Sequence, residues 1–244
     1  MLCDELFDPA SQYNETVATE ANENYLRPTA VNTSPQETEN GIHEANNFRL
    51  PLAEYVRSQA LPVDKLGHQP RLYALTQLVG QGLAYDDDVV YAAAWLHDLG
   101  VFIGHRPEDP DELAAWDCVS YAMKQAPAAL LRCGFPTTKV ADVVEAIRTH
   151  QPHLRPVTLE GTILRDADIL EQLGAVGILR VVAKIGRDTR YPTFTAAAAT
   201  LRKSLADLPG KLQLDSAKAL AQPRITLLEA FIQELNNEAL GALC

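Results

Sequence analysis

The chain has 244 residues, 47% of them hydrophobic and 22% charged, enough to bury one substantial core or at most two small ones. Its formal net charge of −11 argues against a general nucleic-acid or membrane-surface binder, because a polyanion would be repelled before specific contacts formed. A small anionic substrate remains compatible if local arginines line a pocket.

The amino terminus, Met1 to Asp8, has neither a basic n-region nor an apolar h-region, and no later stretch is long and apolar enough to span a bilayer. A soluble, cytoplasmic protein is expected. Cys3, Cys118, Cys133 and Cys244 lack a C-x-x-C spacing, so they read as reduced thiols, with Cys118 and Cys133 as core fillers. Asn14 and Asn32 match the glycosylation acceptor pattern, but without a secretory signal that match reads as chance. Residues 1–48 are rich in Asn, Thr and Glu and read as a polar, mobile leader, followed by a helical domain over residues 49–244.

From Leu50 onward the periodicity is helical throughout and the fold class is all-α. The first helix is expected over Pro51–Gln59, before a turn at Pro62. A second, Gly67–Gln81, places His68, Leu72, Leu75 and Val79 on one face, with Pro70 in its first turn. Asp86, Asp87 and Asp88 cap a third helix, which is apolar from Tyr91 to Leu96 and closes on His97 and Asp98. A fourth runs from Asp109–Asp111 to about Cys133, and Gly134 to Pro136 stops it. A fifth, capped by Thr137 or Thr138, carries Val140, Val143, Val144 and Ile147 as its buried stripe and ends at His150. Thr158 opens a sixth. Further helices are expected over Ala196–Leu208 and Asp215–Leu240, the last kinked or interrupted at Pro223.

A histidine and a carboxylate closing an all-apolar helix are costly unless something binds them. In the sixth helix Ile163, Asp166, Ala167, Leu170 and Leu173 share one face, whereas Asp168 projects roughly 160° from Asp166 at about 100° per residue. His68, His97, Asp98 and Asp166 therefore all fall on inward faces, and one shared divalent ion explains them better than four separate buried defects. Two imidazoles and two carboxylates suit Mn, Fe, Co, Ni, Zn or Mg. Asp168 is either a partner that orients a ligand or a solvated surface residue.

His68, then His97-Asp98, then Asp166 within TLEGTILRDADILEQLGAVGILR (Thr158 to Arg180) resemble the H…HD…D signature of the HD-domain metal-dependent phosphohydrolases. The last segment is similar to the DADRLDALGAIGIAR of a bacterial subfamily that includes nucleotide pyrophosphatases, and the likeness extends from Pro51 to Glu238. The resemblance implies an HD-type helical bundle with a metal site between central helices. It makes His68, His97, Asp98 and Asp166 the metal ligands. Ile169 and Glu171 depart from the usual arginine and aspartate, the loop after Arg180 is short, and Pro223 interrupts a helix often continuous in relatives.

The implied activity is hydrolysis of a phosphate ester or anhydride in a small molecule, a nucleotide by preference, with water activated by the ion as nucleophile. Asp98 would orient or deprotonate that water, while His150 or Arg71 would stabilise charge on the leaving side. Arg71, one turn beyond His68, could equally hold a ligand carboxylate, and His150 could be a helix-end histidine favoured by the dipole. His105 and Arg106 either line the site mouth or are exposed; Arg165 and Arg187 have weaker claims; His43 and His153 read as solvated. A second ion would have only His105, Asp109 and His150 to draw on. The expected partner is a small anionic substrate, with no nucleic acid and no membrane, and a homo-oligomer is left open. Two other readings stand beside this one: a hydratase or lyase on the same scaffold, favoured by a pocket without converging arginines, and a nucleotide-binding regulatory protein.

Overall fold

The computed structural model describes residues 48–61, 66–186 and 191–243. The leader other than Phe48, together with Pro62, Arg187, Cys3, Cys244 and His43, lies outside them. The described residues fold into helices α1 (Arg49–Gln59), α2 (His68–Val79), α3 (Asp87–Leu96), α4 (Pro110–Ala114), α5 (Cys118–Arg132), α6 (Val140–Thr149), α7 (Leu159–Glu171), α8 (Gly174–Val182), α9 (Phe194–Asp207) and α10 (Asp215–Ala239). Among these residues there is no β-strand, only an isolated bridge between Ile103 and Arg106, and no helix is long and apolar enough to cross a membrane.

Helix α3 is the axle of the bundle. Every residue from Val89 to Leu96 is buried, and the run Ala92 to Ala94 lets α1, α2, α5, α6 and α7 all pack against it. A helix apolar on all sides has no solvent face, so it must be central. Its start is fixed by polar contacts: the Asp86 side chain accepts from the amides of Asp88 and Val89, and Arg49 donates to Asp87 and Asp88 at 2.8 and 2.7 Å. Phe48, assigned by sequence to the leader, is buried edge-on against Tyr91 and Phe135.

Helix α7 is the second buried element and packs on α2, α3, α6, α8 and α10. Thr158 caps it by accepting from the amide of Gly161, as its place in the sequence predicts. Two expected elements differ. The single helix anticipated from Asp109 to Cys133 is two, because Asp117 caps a fresh start by accepting from the amides of Val119 and Ser120. Helix α10 runs through Pro223 without interruption. Cys118 and Cys133 are partly buried and pack against the core.

Candidate metal centre

Four helix positions converge at one end of α3. His68 is the first residue of α2, His97 and Asp98 follow α3, His150 follows α6, and Asp168 lies in α7. His68, His97 and Asp98 form a group of ligand type. The Nε2 atoms of His68 and His97 stand 3.1 Å apart, and Asp98 Oδ2 lies 3.6 Å from each. Asp168 Oδ1 is also 3.6 Å from His68 Nε2.

The outer edges of the rings fix the tautomers. His97 Nδ1 lies 3.0 Å from the Ala94 carbonyl, which can only accept, so Nδ1 carries the proton. His68 Nδ1 faces Glu171 Oε2 at 3.2 Å and donates to that carboxylate in the same way. Both Nε2 atoms therefore present bare lone pairs to one another, with two carboxylates beside them. That arrangement repels itself unless a cation lies between, and it is the donor set a divalent ion takes. His150 repeats the pattern: Nδ1 donates to the Ile147 carbonyl at 2.6 Å, and its ring centroid is 5.0 Å from that of His97.

Burial lowers the His97 pKa to about 4, with the like charges of His150 and His68 acting in the same sense against Asp98 and Asp168, so the ring is neutral near pH 7. At Asp98 burial works against ionisation, but the surrounding His97, His68 and His150 rings and Arg180 outweigh it and hold the carboxyl well below the usual range.

Asp166, expected to be a ligand, is not brought to this group. Its Oδ2 accepts from the backbone amides of Gln213 and Leu214 at 2.9 and 2.8 Å, just ahead of α10, and Oδ1 accepts from Arg165 at 3.3 Å. Burial pushes its pKa up although both amides pull the other way. The apolar stripe placed Asp166 inward correctly, but inward there meets the α10 entry, while the metal-type group lies on the Asp168 side. Arg165 is also structural, tying the Pro152 carbonyl at 2.8 Å to the Lys211 carbonyl at 2.7 Å.

Glu171, noted in the sequence only as a departure, is central to the site. It is 3% exposed and accepts from His68, from Arg71 Nε and Nη2 at 3.2 and 3.4 Å, and from Arg180 Nη1 at 3.0 Å. Burial works to raise its pKa, and the hydrogen bonds from His68 and Arg71 outweigh this and hold it at about 2. Its signal in the sequence was the i,i+3 spacing from Asp168, which puts both acids on one helix face. Arg71 turns to this carboxylate. His105 does not line the group: its ring is engaged by the Leu99 carbonyl at 2.8 Å and Gln59 at 3.0 Å. Asp109 caps α4, and His153 is exposed.

Residues 66–173 match the model of the HD domain family. No curated protein matches the chain. Among solved structures, Bacillus subtilis YpgQ in complex with ADP is 25% identical, with 78% of this chain and 96% of that one covered at a TM-score of 0.55. A predicted HD superfamily hydrolase from an uncultured Thermotogales bacterium is also 25% identical, over 77% and 90% of the two chains, at a TM-score of 0.53. A Lactobacillus plantarum protein, 19% identical over 80% and 98% at a TM-score of 0.61, adds likeness of fold alone.

Proposed function

We propose that this chain, whose residues 66–173 match the HD domain family, is a metal-dependent hydrolase and that the bond it cleaves is a phosphate ester or anhydride of a small molecule, a nucleotide by preference. The observation that carries the reading is the convergence of two guanidinium groups, Arg71 and Arg180, on the one carboxylate of Glu171 behind His68, in a chain of net charge −11. Cations beside such a group suit an anionic substrate, and their presence counts against a hydratase, whose neutral substrate needs none. The ADP held by the Bacillus subtilis relative supports the same class.

His68, His97, Asp98 and Asp168 are the residues that would hold the ion, Asp168 taking the place first given to Asp166. When bound, a divalent ion supplies Lewis acidity toward a phosphoryl oxygen and acidifies water. Glu171 keeps His68 in the ligating tautomer. Asp98, ionised and partly exposed at 25% of its side chain, orients the attacking water and accepts its proton. The water oxygen bonds to phosphorus as the bond to the leaving oxygen breaks, and that oxygen takes the proton that Asp98 has accepted; His150, whose Nδ1 proton is engaged by the Ile147 carbonyl, presents Nε2 as a hydrogen-bond acceptor. No serine or cysteine nucleophile is required.

The test is product release, followed by mass spectrometry, from nucleoside mono-, di- and triphosphates with Mn²⁺, Mg²⁺, Co²⁺ or no metal. Metal-dependent turnover that vanishes in Asp98→Ala is the expected result. Turnover of no phosphate compound by a metal-loaded protein would overturn the reading.

A further inference from the structure

The two carboxylates that would hold the ion are themselves held differently. Among the described residues no N–H or O–H donates to the Asp98 carboxylate, whose Oδ2 stands 3.6 Å from both imidazole Nε2 atoms. Asp168 is gripped. Its Oδ1 lies 3.6 Å from His68 Nε2, while its Oδ2 accepts a hydrogen bond from Gln172 Nε2 at 3.2 Å. The same Nε2 reaches the backbone carbonyl of Asp168, also at 3.2 Å. A carbonyl and a carboxylate oxygen only accept, so the nitrogen end of the amide is the one that faces both.

The backbone builds this contact in. Gln172 stands just past the last turn of α7, at i+4 from Asp168 and so above it on the same face. Its own N–H turns to the Ile169 carbonyl at 3.1 Å, and the side-chain amide closes on the Asp168 carbonyl at the bare end of the helix. Helix α8 then clamps the position. Gly174 takes φ +70° in the turn, and Gly177 packs so closely that a Cβ there would meet the Gln172 carbonyl oxygen at 2.4 Å. The similar segment DADRLDALGAIGIAR carries alanine at the place of Gln172 and has no amide to offer.

A carboxylate can give a metal one oxygen or both. For Asp168 to give both, Oδ2 would have to turn from the amide toward the ion. Resting on the metal-dependent reading above, we propose that Gln172 is a positioning residue that restricts Asp168 to a single ligating oxygen, so that the ion keeps a place for water which a two-oxygen grip would fill. The roles of the two carboxylates are thereby separated: Asp168 is an anchored ligand, and Asp98, which no donor holds, is left to orient the attacking water.

The test uses the full-length protein, stripped by chelator and saturated with Mn²⁺, and reads the water-proton relaxation enhancement per bound Mn²⁺, which reports the waters exchanging on the ion. Wild type is compared with Gln172→Met, which keeps the length of the side chain and loses the donor, and with Gln172→Ala. Both variants should still bind Mn²⁺ and keep a helical circular dichroism spectrum, with an enhancement lower than that of wild type by roughly a third to a half, the loss of one of the few waters such an ion keeps. An unchanged enhancement in Gln172→Met would overturn the assignment, because the donor would then have no part in setting the water count. A rise would overturn it as well, since Asp168 would be leaving the ion and Gln172 would be keeping it there. Should Gln172→Met fail to fold, Gln172→Ala decides by the same reading. Wild type that binds no Mn²⁺ would sink the metal-dependent reading and this inference with it, whereas variants that match a Mn²⁺-loaded wild type sink this inference alone.

Discussion

Two charged regions at opposite ends of α3 look alike in composition and differ in kind. At its start, Asp86, Asp87, Asp88 and Glu160 line a broad concavity of about 630 Å³ with Arg49 and Lys139. At its finish stand His68, His97, Asp98, Asp168 and Glu171. The charges of the first are answered within the protein: Arg49 bridges Asp87 and Asp88, Lys139 lies 2.7 Å from Asp86, and the Glu160 carboxylate accepts the Asp86 amide. The second leaves lone pairs facing one another at 3.1 Å. Unanswered donor atoms mark the second region as the candidate site.

The strongest way to break this contrast is to remove a carboxylate from the second region. Asp168→Ala should lose most of its bound metal, read by elemental analysis after gel filtration, and its turnover with it, while keeping a helical circular dichroism spectrum. Full metal retention would remove Asp168 from the ligand set. Glu171→Gln keeps the shape and loses the charge behind His68, and should cost roughly 10–100-fold in metal affinity or activity.

Asp166→Ala is expected to do the reverse of Asp168→Ala. It leaves two amides without their acceptor, costing about 1–3 kcal/mol in urea denaturation, with metal affinity preserved. Acid should act on the second region as well. His97 has its pKa depressed to about 4 in the fold against 6.5 for a free imidazole, so between those values the unfolded chain binds the extra proton. The contribution of His97 to the metal-free protein is thus full above about pH 6.5 and declines as pH falls through that window, which thermal melts at pH 7, 5.5 and 4.5 would show. The smallest effect belongs to the first region. Lys139→Ala breaks half-exposed ion pairs and should cost less than about 1 kcal/mol, with no change in turnover.

How far the sequence could be read follows from how local each feature is. The His97-Asp98 pair was legible because α3 offers no polar neighbour to explain it, and His68 because it opens a stripe of buried leucines. Thr158 and Asp86 were legible as caps for the same reason, since their partners lie within three residues. Asp166 misled because its partners, Gln213 and Leu214, lie 47 and 48 residues away along the chain. In a helix as fully enclosed as α7, an apolar stripe distinguishes no inward direction from another, and burial alone could not separate a ligand from a cap. Glu171 was hidden behind that choice: once Asp168 is taken as the inward acid, the next turn of the same face delivers Glu171.

The endings of α3 and α6 share a device. In each, the histidine just past the last turn hands its Nδ1 proton to the carbonyl three residues back, Ala94 for His97 and Ile147 for His150. One hydrogen bond closes the helix, supplying a donor to a carbonyl that the terminus would leave bare, and at the same stroke aims the opposite nitrogen at the site. Evolution therefore cannot exchange either ring for a carboxylate or a thiolate as if only the ion were listening, because neither offers a proton to the helix end. These two positions are tied to imidazole by the architecture as well as by the chemistry.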